Sequence, residues 1–323
     1  ELAAWYGGPI GCWGDARRET TSVTVATFES GVRRAAELGA LFELIVVDEV
    51  HHFGDKLRDE ALEMSVAPMR LGLTATPPEE PTQLQRLTDL VGPVQFELSI
   101  ADLAGTYLAA YDVVVFHARL SAEEWAQYRA ERAVFARTFR ALQRTSPGAS
   151  WSEFVAVATR TDEGRRALAA WRRTKQMEAF PEAKRTLLAE LLDRHRDRRV
   201  LVFTPDNASA YEIAREHFIM PLTCDIKRKE RETVLERFRK GELGALASSR
   251  VLNEGLDVPD ADVAIIVGGS LGDREHIQRV GRLLRPSLGK RAVIYELVAS
   301  GTSETRSSLR RRRALATRTV PTV

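Results

Sequence analysis

Short apolar runs bounded by polar turns recur along this chain, and each predicts a buried strand. The first is Val23-Thr24-Val25-Ala26-Thr27, followed by an amphipathic stretch to Leu38. Phe42-Glu43-Leu44-Ile45-Val46-Val47 stops abruptly at Asp48-Glu49, and Leu71-Gly72-Leu73-Thr74 is closed by Pro77-Pro78. Apolar runs of this kind, alternating with helical patterns, indicate a parallel sheet buried on both faces and hence α/β architecture. The pattern changes at residue 121. Ser121-Ala122-Glu123-Glu124 reads as a capping box opening a long helix, Ser146-Pro147-Gly148 interrupts it, and an Arg- and Ala-rich helical stretch runs on to Phe180. Pro181 opens another helix. Alternation returns from Arg199, with strands at 200–204, 245–247, 263–267 and 292–295 and helices at 208–217, 227–239 and 273–284. The expected layout is an α/β domain over residues 1–119, an all-helical insertion over 120–180, a second α/β domain over 181–300 and a basic tail over 301–323.

Composition removes several classes. A length of 323 residues fits two domains and an insertion at about 150 residues per domain. Hydrophobic residues at 44% and charged residues at 28% exclude a disordered chain. No apolar run nears the roughly 18 residues that span a bilayer, which excludes a membrane protein. Glu1-Leu2-Ala3-Ala4-Trp5 lacks the basic start and apolar core of a signal peptide. Cys12 and Cys224 lie far apart without CxxC or histidine spacing, so neither a disulfide framework nor a zinc site is expected, and a reducing cytoplasmic setting fits. Charge is uneven. Residues 1–119 carry 18 acidic and 9 basic side chains, residues 120–180 carry 7 and 11, and residues 301–323 carry 1 and 6. That distribution suits a polyanion held by the later parts, although solvated helix faces fit the charge equally well.

Candidate chemistry sits at strand ends. Asp48-Glu49-Val50-His51 directly follows a strand, and the carboxyl ends of parallel strands are where α/β sheets bind ligands. Adjacent carboxylates there suit a Mg2+-nucleotide site, one orienting the metal's water shell and the other activating a water. Thr74-Ala75-Thr76 follows the next strand, where small hydroxyl residues could couple that site to a neighbouring domain. Asn253-Glu254-Gly255-Leu256-Asp257 follows a later one. Spacings of four and three then put Gln278, Arg282 and Arg285 on one helix face, from which arginines can reach phosphates bound by another domain. A lone DExH is common and more often a solvated strand end. Four signals in order at strand ends make that alternative poor. His52 beside His51 lacks the i, i+4 spacing of a metal pair. Trp125, Trp151 and Trp171 lie among arginines, including Arg165-Arg166 and Arg172-Arg173, and could stack on bases. Tryptophans on amphipathic helices are more often core. The Arg310–Arg313 run suits phosphates or a solvated tail equally.

These segments resemble a superfamily two helicase, with DEVH as motif II, TAT as motif III, VLNEGLD as motif V and QRVGRLLRP as motif VI. DEVHH, MSVAPMRLGLTATP, SRVLNEGLDVPDADVAI and REHIQRVGRLLRP together look most similar to the XPB-like DNA helicases of bacteria and archaea. The resemblance implies two RecA-like parallel-sheet domains, the first incomplete, with a thumb-like helical insertion between them. It implies ATP bound between those domains, with Mg2+ as cofactor. Asp48 would position Mg2+ through water and Glu49 would be the general base. His51, Thr74 and Thr76 would couple hydrolysis to domain closure. Gly255 and Asp257 would approach ribose and phosphates, and Gln278, Arg282 and Arg285 would meet the γ-phosphate. Ser249, with Arg250, Thr204 and more loosely Thr27 beside Ser30, would touch the nucleic-acid backbone. DNA is the implied substrate, RNA less so, with a role such as DNA repair and a nuclease or repair protein as a partner.

The chain also departs from the family pattern. No G-x-x-x-x-G-K-[ST] loop is present. Gly7 to Gly14 is glycine-rich but lacks the lysine and reads as a turn, and Gly289-Lys290 is followed by arginine. The expectation is that this is the C-terminal part of a longer protein whose phosphate loop lies upstream. After TAT the chain reads Pro77-Pro78-Glu79-Glu80-Pro81, without the Arg-Glu-Asp element of eukaryotic and archaeal XPB proteins. Two other readings therefore stand beside a helicase: a duplex translocase that does not separate strands, and a non-catalytic nucleic-acid-binding scaffold.

Overall fold

The structure, a computed structural model, describes residues 2–14, 16–75, 77–78, 80–98, 107, 109–249, 261–268 and 291–315, the last five as backbone only. The chain divides into two compact units, Glu1–Glu97 and Leu98–Val323.

In the first unit, β1 (Ile10–Gly14) pairs antiparallel with β2 (Arg17–Glu19) and parallel with β3 (Val23–Ala26). The glycine-rich start, expected as a turn, thus supplies a strand. Gly11 permits it, because a Cβ there would stand 2.5 Å from the Glu19 carbonyl oxygen. A separate parallel pair joins β4 (Leu44–Val47) to β5 (Met69–Gly72). Ile45 and Val47 of β4 face inward, onto a core of Val50, Phe53, Leu62, Leu87 and Leu90. Arg70 donates to the carbonyls of Ser65 and Leu90 at 2.6 Å each, tying down the end of the helix Pro81–Leu90. Leu44, Val46, Met69 and Leu71 on the other face stay 48–53% exposed. The expectation of a sheet buried on both faces is corrected here, since among the described residues of this unit no element covers that side.

The second unit holds β6 (Ala110–Ala118), β7 (Val200–Phe203), β8 (Met220–Leu222), β9 (Ala245–Ser248), β10 (Val263–Ile266) and β11 (Arg291–Ala299). They form one sheet of order β6-β11-β10-β7-β9-β8 with every pairing parallel. Every residue of β7 and β10 is buried, and alternate residues serve opposite faces. Leu201, Phe203, Ala264 and Ile266 pack under Val234, Leu235 and Phe238 of the helix Arg228–Arg239. Val200, Val202, Val263 and Ile265 pack under Leu188 and Leu191 of Glu182–Arg194 and Ile213 of Asn207–His217. Each such Val, Leu, Ile or Phe side chain contributes about 1.5–3 kcal/mol by leaving water. Here the doubly covered parallel sheet is fully realised.

Residues 110–118, placed by the sequence reading with the first domain, lie in this sheet as β6, in register with β11 from Ala110–Arg291 to Ala118–Ala299. The Arg291 guanidinium forks onto both Asp112 oxygens at 2.6 and 2.7 Å and holds that carboxyl below the usual carboxylate range. Three helices follow, Ala122–Thr145, Trp151–Ala158 and Asp162–Ala179, capped by Ser121, Ser150 and Thr161. Phe135, Phe139 and Leu142 of the first close on Phe154, Ala158, Ala167 and Leu168. Trp151, itself exposed, and the half-buried Trp171 meet at 4.6 Å at the edge of this assembly. Residues expected as a basic tail instead form the helix Ser303–Leu315, whose Glu304 and Ser308 are buried. Among the described residues no helix is long and apolar enough to cross a membrane.

Candidate functional site

Strand β4 delivers Val47 into the core and leaves Asp48 exposed at its carboxyl end. Glu49 follows in the left-handed region, φ 49° and ψ 47°, which costs a residue with a Cβ about 1–2 kcal/mol. Its neighbours hold that turn. The Glu49 amide donates to Asp48 Oδ1 at 2.9 Å, and the Val50 amide donates to the Leu73 carbonyl at 2.9 Å. Val50–His52 then form a single 3-10 turn. Gly72 on β5 admits Val50, whose methyl groups would lie 3.1–3.2 Å from a Cβ.

That turn buries His51, whose Nδ1 lies 2.9 Å from Thr74 Oγ1 and 3.3 Å from Glu49 Oε2. One imidazole nitrogen therefore touches both the half-buried carboxylate of motif II and the hydroxyl beyond β5. Gln83 on the helix Pro81–Leu90 donates to the His51 and Phe53 carbonyls at 3.2 and 2.9 Å, fixing the turn from outside. Nothing in the sequence singles out Gln83, a polar residue on a polar helix. His52 instead packs its ring against Phe28, and the described residues contain no group of three or more ligands able to hold a metal ion.

The second unit treats its candidates differently. Thr204 is wholly buried after β7, and its hydroxyl donates to the Asp206 carbonyl at 2.9 Å. That hydroxyl has no exposed surface. Ser249 is also buried and donates to Asn207 Oδ1. In the first unit, Thr27 caps the helix Phe28–Arg33 by accepting from the Ser30 amide. Thr76, Arg250, Gly255, Asp257, Gln278, Arg282 and Arg285 lie outside the described residues.

A basic face also emerges on the helix Ala122–Thr145 that the sequence did not isolate. Arg129, Arg132, Arg137, Arg140 and Arg144 are exposed along it around a cavity of about 500 Å3. Among the described residues none of the five has an ion-pair partner. Arg173 and Arg165, named from sequence, are by contrast engaged by Glu131 and Asp162. A second cavity of about 350 Å3 adjoins, where Arg132, Arg140, Lys175 and Arg306 surround Phe135, Phe139 and Trp171.

The all-parallel doubly covered sheet of the second unit and, in the first, a DExH turn at the end of a parallel strand are features of RecA-like helicases. Two family models agree: "Type III restriction enzyme, res subunit" matches residues 13–79 and "Helicase conserved C-terminal domain" matches 183–287. The fold is similar to the helicase domain of Pyrococcus furiosus Hef, with a TM-score of 0.57 at 18% identity over 89% of this chain and 78% of that one. A "DNA 3'-5' translocase XPB2" of Sulfurisphaera tokodaii is 35% identical over 292 residues, 90% of this chain and 66% of its own. A "DNA 3'-5' helicase XPB" of Mycobacterium tuberculosis is 26% identical over 95% of this chain and 51% of its own. The chain belongs to the XPB-like branch of the superfamily two helicases. It spans between half and two-thirds of the length of these two relatives.

Proposed function

We propose that this chain forms part of an ATP-dependent DNA motor in which hydrolysis drives movement on, or unwinding of, DNA. The observation that carries this reading is the cluster of Asp48, Glu49, His51 and Thr74 at the carboxyl ends of parallel strands. Asp48 fits a hydrated Mg2+. It is an exposed hard oxygen ligand that, among the described residues, accepts only from the Glu49 amide. When bound, Mg2+-ATP supplies the phosphoryl group that passes to water. Glu49 takes the proton of that water, and the turn that fixes its backbone pre-sets the carboxylate. His51 joins Glu49 to Thr74, so displacement of the strand end beyond β5 changes the base's surroundings. Gln278, Arg282 and Arg285 stabilise developing phosphate charge, while Gly255 and Asp257 approach the ribose and phosphates. Thr76 acts beside Thr74 in coupling, and Ser249, Arg250, Thr204 and Thr27 are the candidates for contact with a nucleic-acid backbone.

The five arginines, without an ion-pair partner among the described residues, supply a sequence-independent grip on a phosphate backbone. DNA is the expected polyanion and 3'-5' the expected polarity, since the two relatives carry both in their names. The test is DNA-stimulated ATP hydrolysis by the native polypeptide that carries this chain, beside the 323-residue chain itself. Strand displacement on forked and blunt duplexes then separates unwinding from translocation alone. DNA binding with no hydrolysis in either form would overturn the motor and leave a scaffold.

A further inference from the structure

Lys184 is fully buried, and the described residues give its ammonium four acceptors. They are Glu304 Oε2 at 2.7 Å and the carbonyls of Val267 at 2.7 Å, Glu178 at 2.8 Å and Ala179 at 3.4 Å. One charge thus gathers the last turn of the helix Asp162–Ala179, the end of β10 and the first turn of the helix Ser303–Leu315. The fit is close around Gly268, where a Cβ would lie 3.1 Å from both the Ala179 carbonyl and Glu304 Oε1 and 3.3 Å from Lys184 Nζ.

A second buried carboxylate extends the connection. Glu178 Oε1 accepts from Tyr128 Oη at 2.8 Å and from the Ser303 hydroxyl and amide at 2.7 and 3.1 Å, and Oε2 accepts from Lys175 at 2.9 Å. Burial opposes ionisation of Glu178, but Lys175, Ser303 and Tyr128 outweigh it and hold the carboxyl below its usual range. Tyr128 sits on the helix that bears the arginine face, next to Arg129 and one turn before Arg132. Hydrogen bonds therefore run from that helix through Tyr128 to the Glu178 carboxylate and Ser303, and from the Glu178 carbonyl through Lys184 to Glu304 and the Val267 carbonyl. Two residues further along the sequence begins the 269–290 segment that carries Gln278, Arg282 and Arg285.

We propose that Tyr128 and Glu178 are positioning residues that make hydrolysis respond to nucleic acid on the arginine-bearing helix, by holding that helix to the end of β10. This rests on the motor reading above. Buried polar networks in which the members are satisfied specify one geometry and resist gradual deformation. A tilt of the helix Ala122–Thr145 therefore either moves the β10 end with it or breaks a buried hydrogen bond. Replacing buried ion pairs by apolar residues of like volume is often neutral for stability, so stability alone is a weak reason for this network.

The test uses Tyr128→Phe and Glu178→Gln in the native polypeptide that carries this chain, with ATP hydrolysis followed against DNA concentration. The expected result is a stimulated kcat reduced by about fivefold or more, with the DNA-free rate and the DNA concentration for half-stimulation unchanged. Tyr128→Phe keeps the ring and its stacking on Trp125, so it remains informative if Glu178→Gln melts early. Full stimulation in Tyr128→Phe overturns the proposal. An equal fall in the DNA-free and stimulated rates also overturns it, because that is what loosened packing would give. A wild type that hydrolyses ATP without any response to DNA refutes the motor reading itself, a result distinct from the other two.

Discussion

The arginine face offers the sharpest quantitative test. Arg137, Arg140 and Arg144 follow at spacings of three and four, and the whole face from Arg129 to Arg144 extends about 22 Å at 1.5 Å per residue. Each phosphate neutralised on a duplex adds about 0.9 to the slope of log K against log salt. If all three side chains meet phosphates, the triple variant Arg137→Gln/Arg140→Gln/Arg144→Gln should lower that slope by about 2.7. At 0.1 M salt this corresponds to a loss of roughly 500-fold in affinity relative to a 1 M reference, and one contact in place of three gives about 8-fold. Stability should move the other way. The triple change relieves like-charge pairs at 137/140 and 140/144, worth about 0.2–0.5 kcal/mol each. Weaker binding without a lower melting temperature is therefore the signature of a binding face. Fluorescence anisotropy with a duplex, titrated between about 50 and 200 mM salt, reads the slope. A slope within about 0.5 of wild type would refute the assignment, and a loss confined to one sequence would contradict backbone recognition.

Three other outcomes are expected. Glu49→Gln should abolish turnover while leaving binding of a fluorescent ATP analogue intact; undiminished DNA-stimulated hydrolysis would sink its role as base. Phe238→Ala empties a wholly buried site between the helix Arg228–Arg239 and the sheet, and should cost about 3–5 kcal/mol in urea denaturation. Because Glu178 is held below its usual range, its stabilisation is present above the ordinary carboxylate range and is lost as pH falls through the lower folded value. The melting temperature should therefore drop on acidification below about pH 4, and by less in Glu178→Gln, which equal pH profiles would disprove.

Where function depends on neighbours in sequence, the chain could be read directly. Asp48 and Glu49 end an apolar run, and that alone places two carboxylates at a strand's carboxyl end. Thr74 was legible for the same reason, but its 2.9 Å approach to His51 was not, since it depends on the pairing of β4 with β5. Thr204 shows the converse. A hydroxyl after a strand looks available for a backbone contact, yet the neighbouring strand β9 and the turn to Asp206 absorb it.

Non-local partners explain what the sequence reading misplaced. Residues 110–118 follow the first unit in the chain, and their apolar pattern carries no record of where they pair. Their partner strand begins at Arg291, and the Asp112–Arg291 fork spans 179 positions. Lys184 is a similar case. In Glu182-Ala183-Lys184-Arg185 it reads as one more solvated helix charge, while two of the four acceptors around it come from 83 and 120 residues downstream. The arginine face was hidden differently, because arginines spaced among alanines read as an ordinary solvated helix and only the structure shows which ones meet no carboxylate among the described residues. Arg173 meets Glu131 across two helices and is neutralised, whereas Arg129, Arg132, Arg137, Arg140 and Arg144 keep their charge facing solvent. Like charges held together in this way repel one another, so the face lowers the stability of its own helix, and a polyanion laid along it removes that cost.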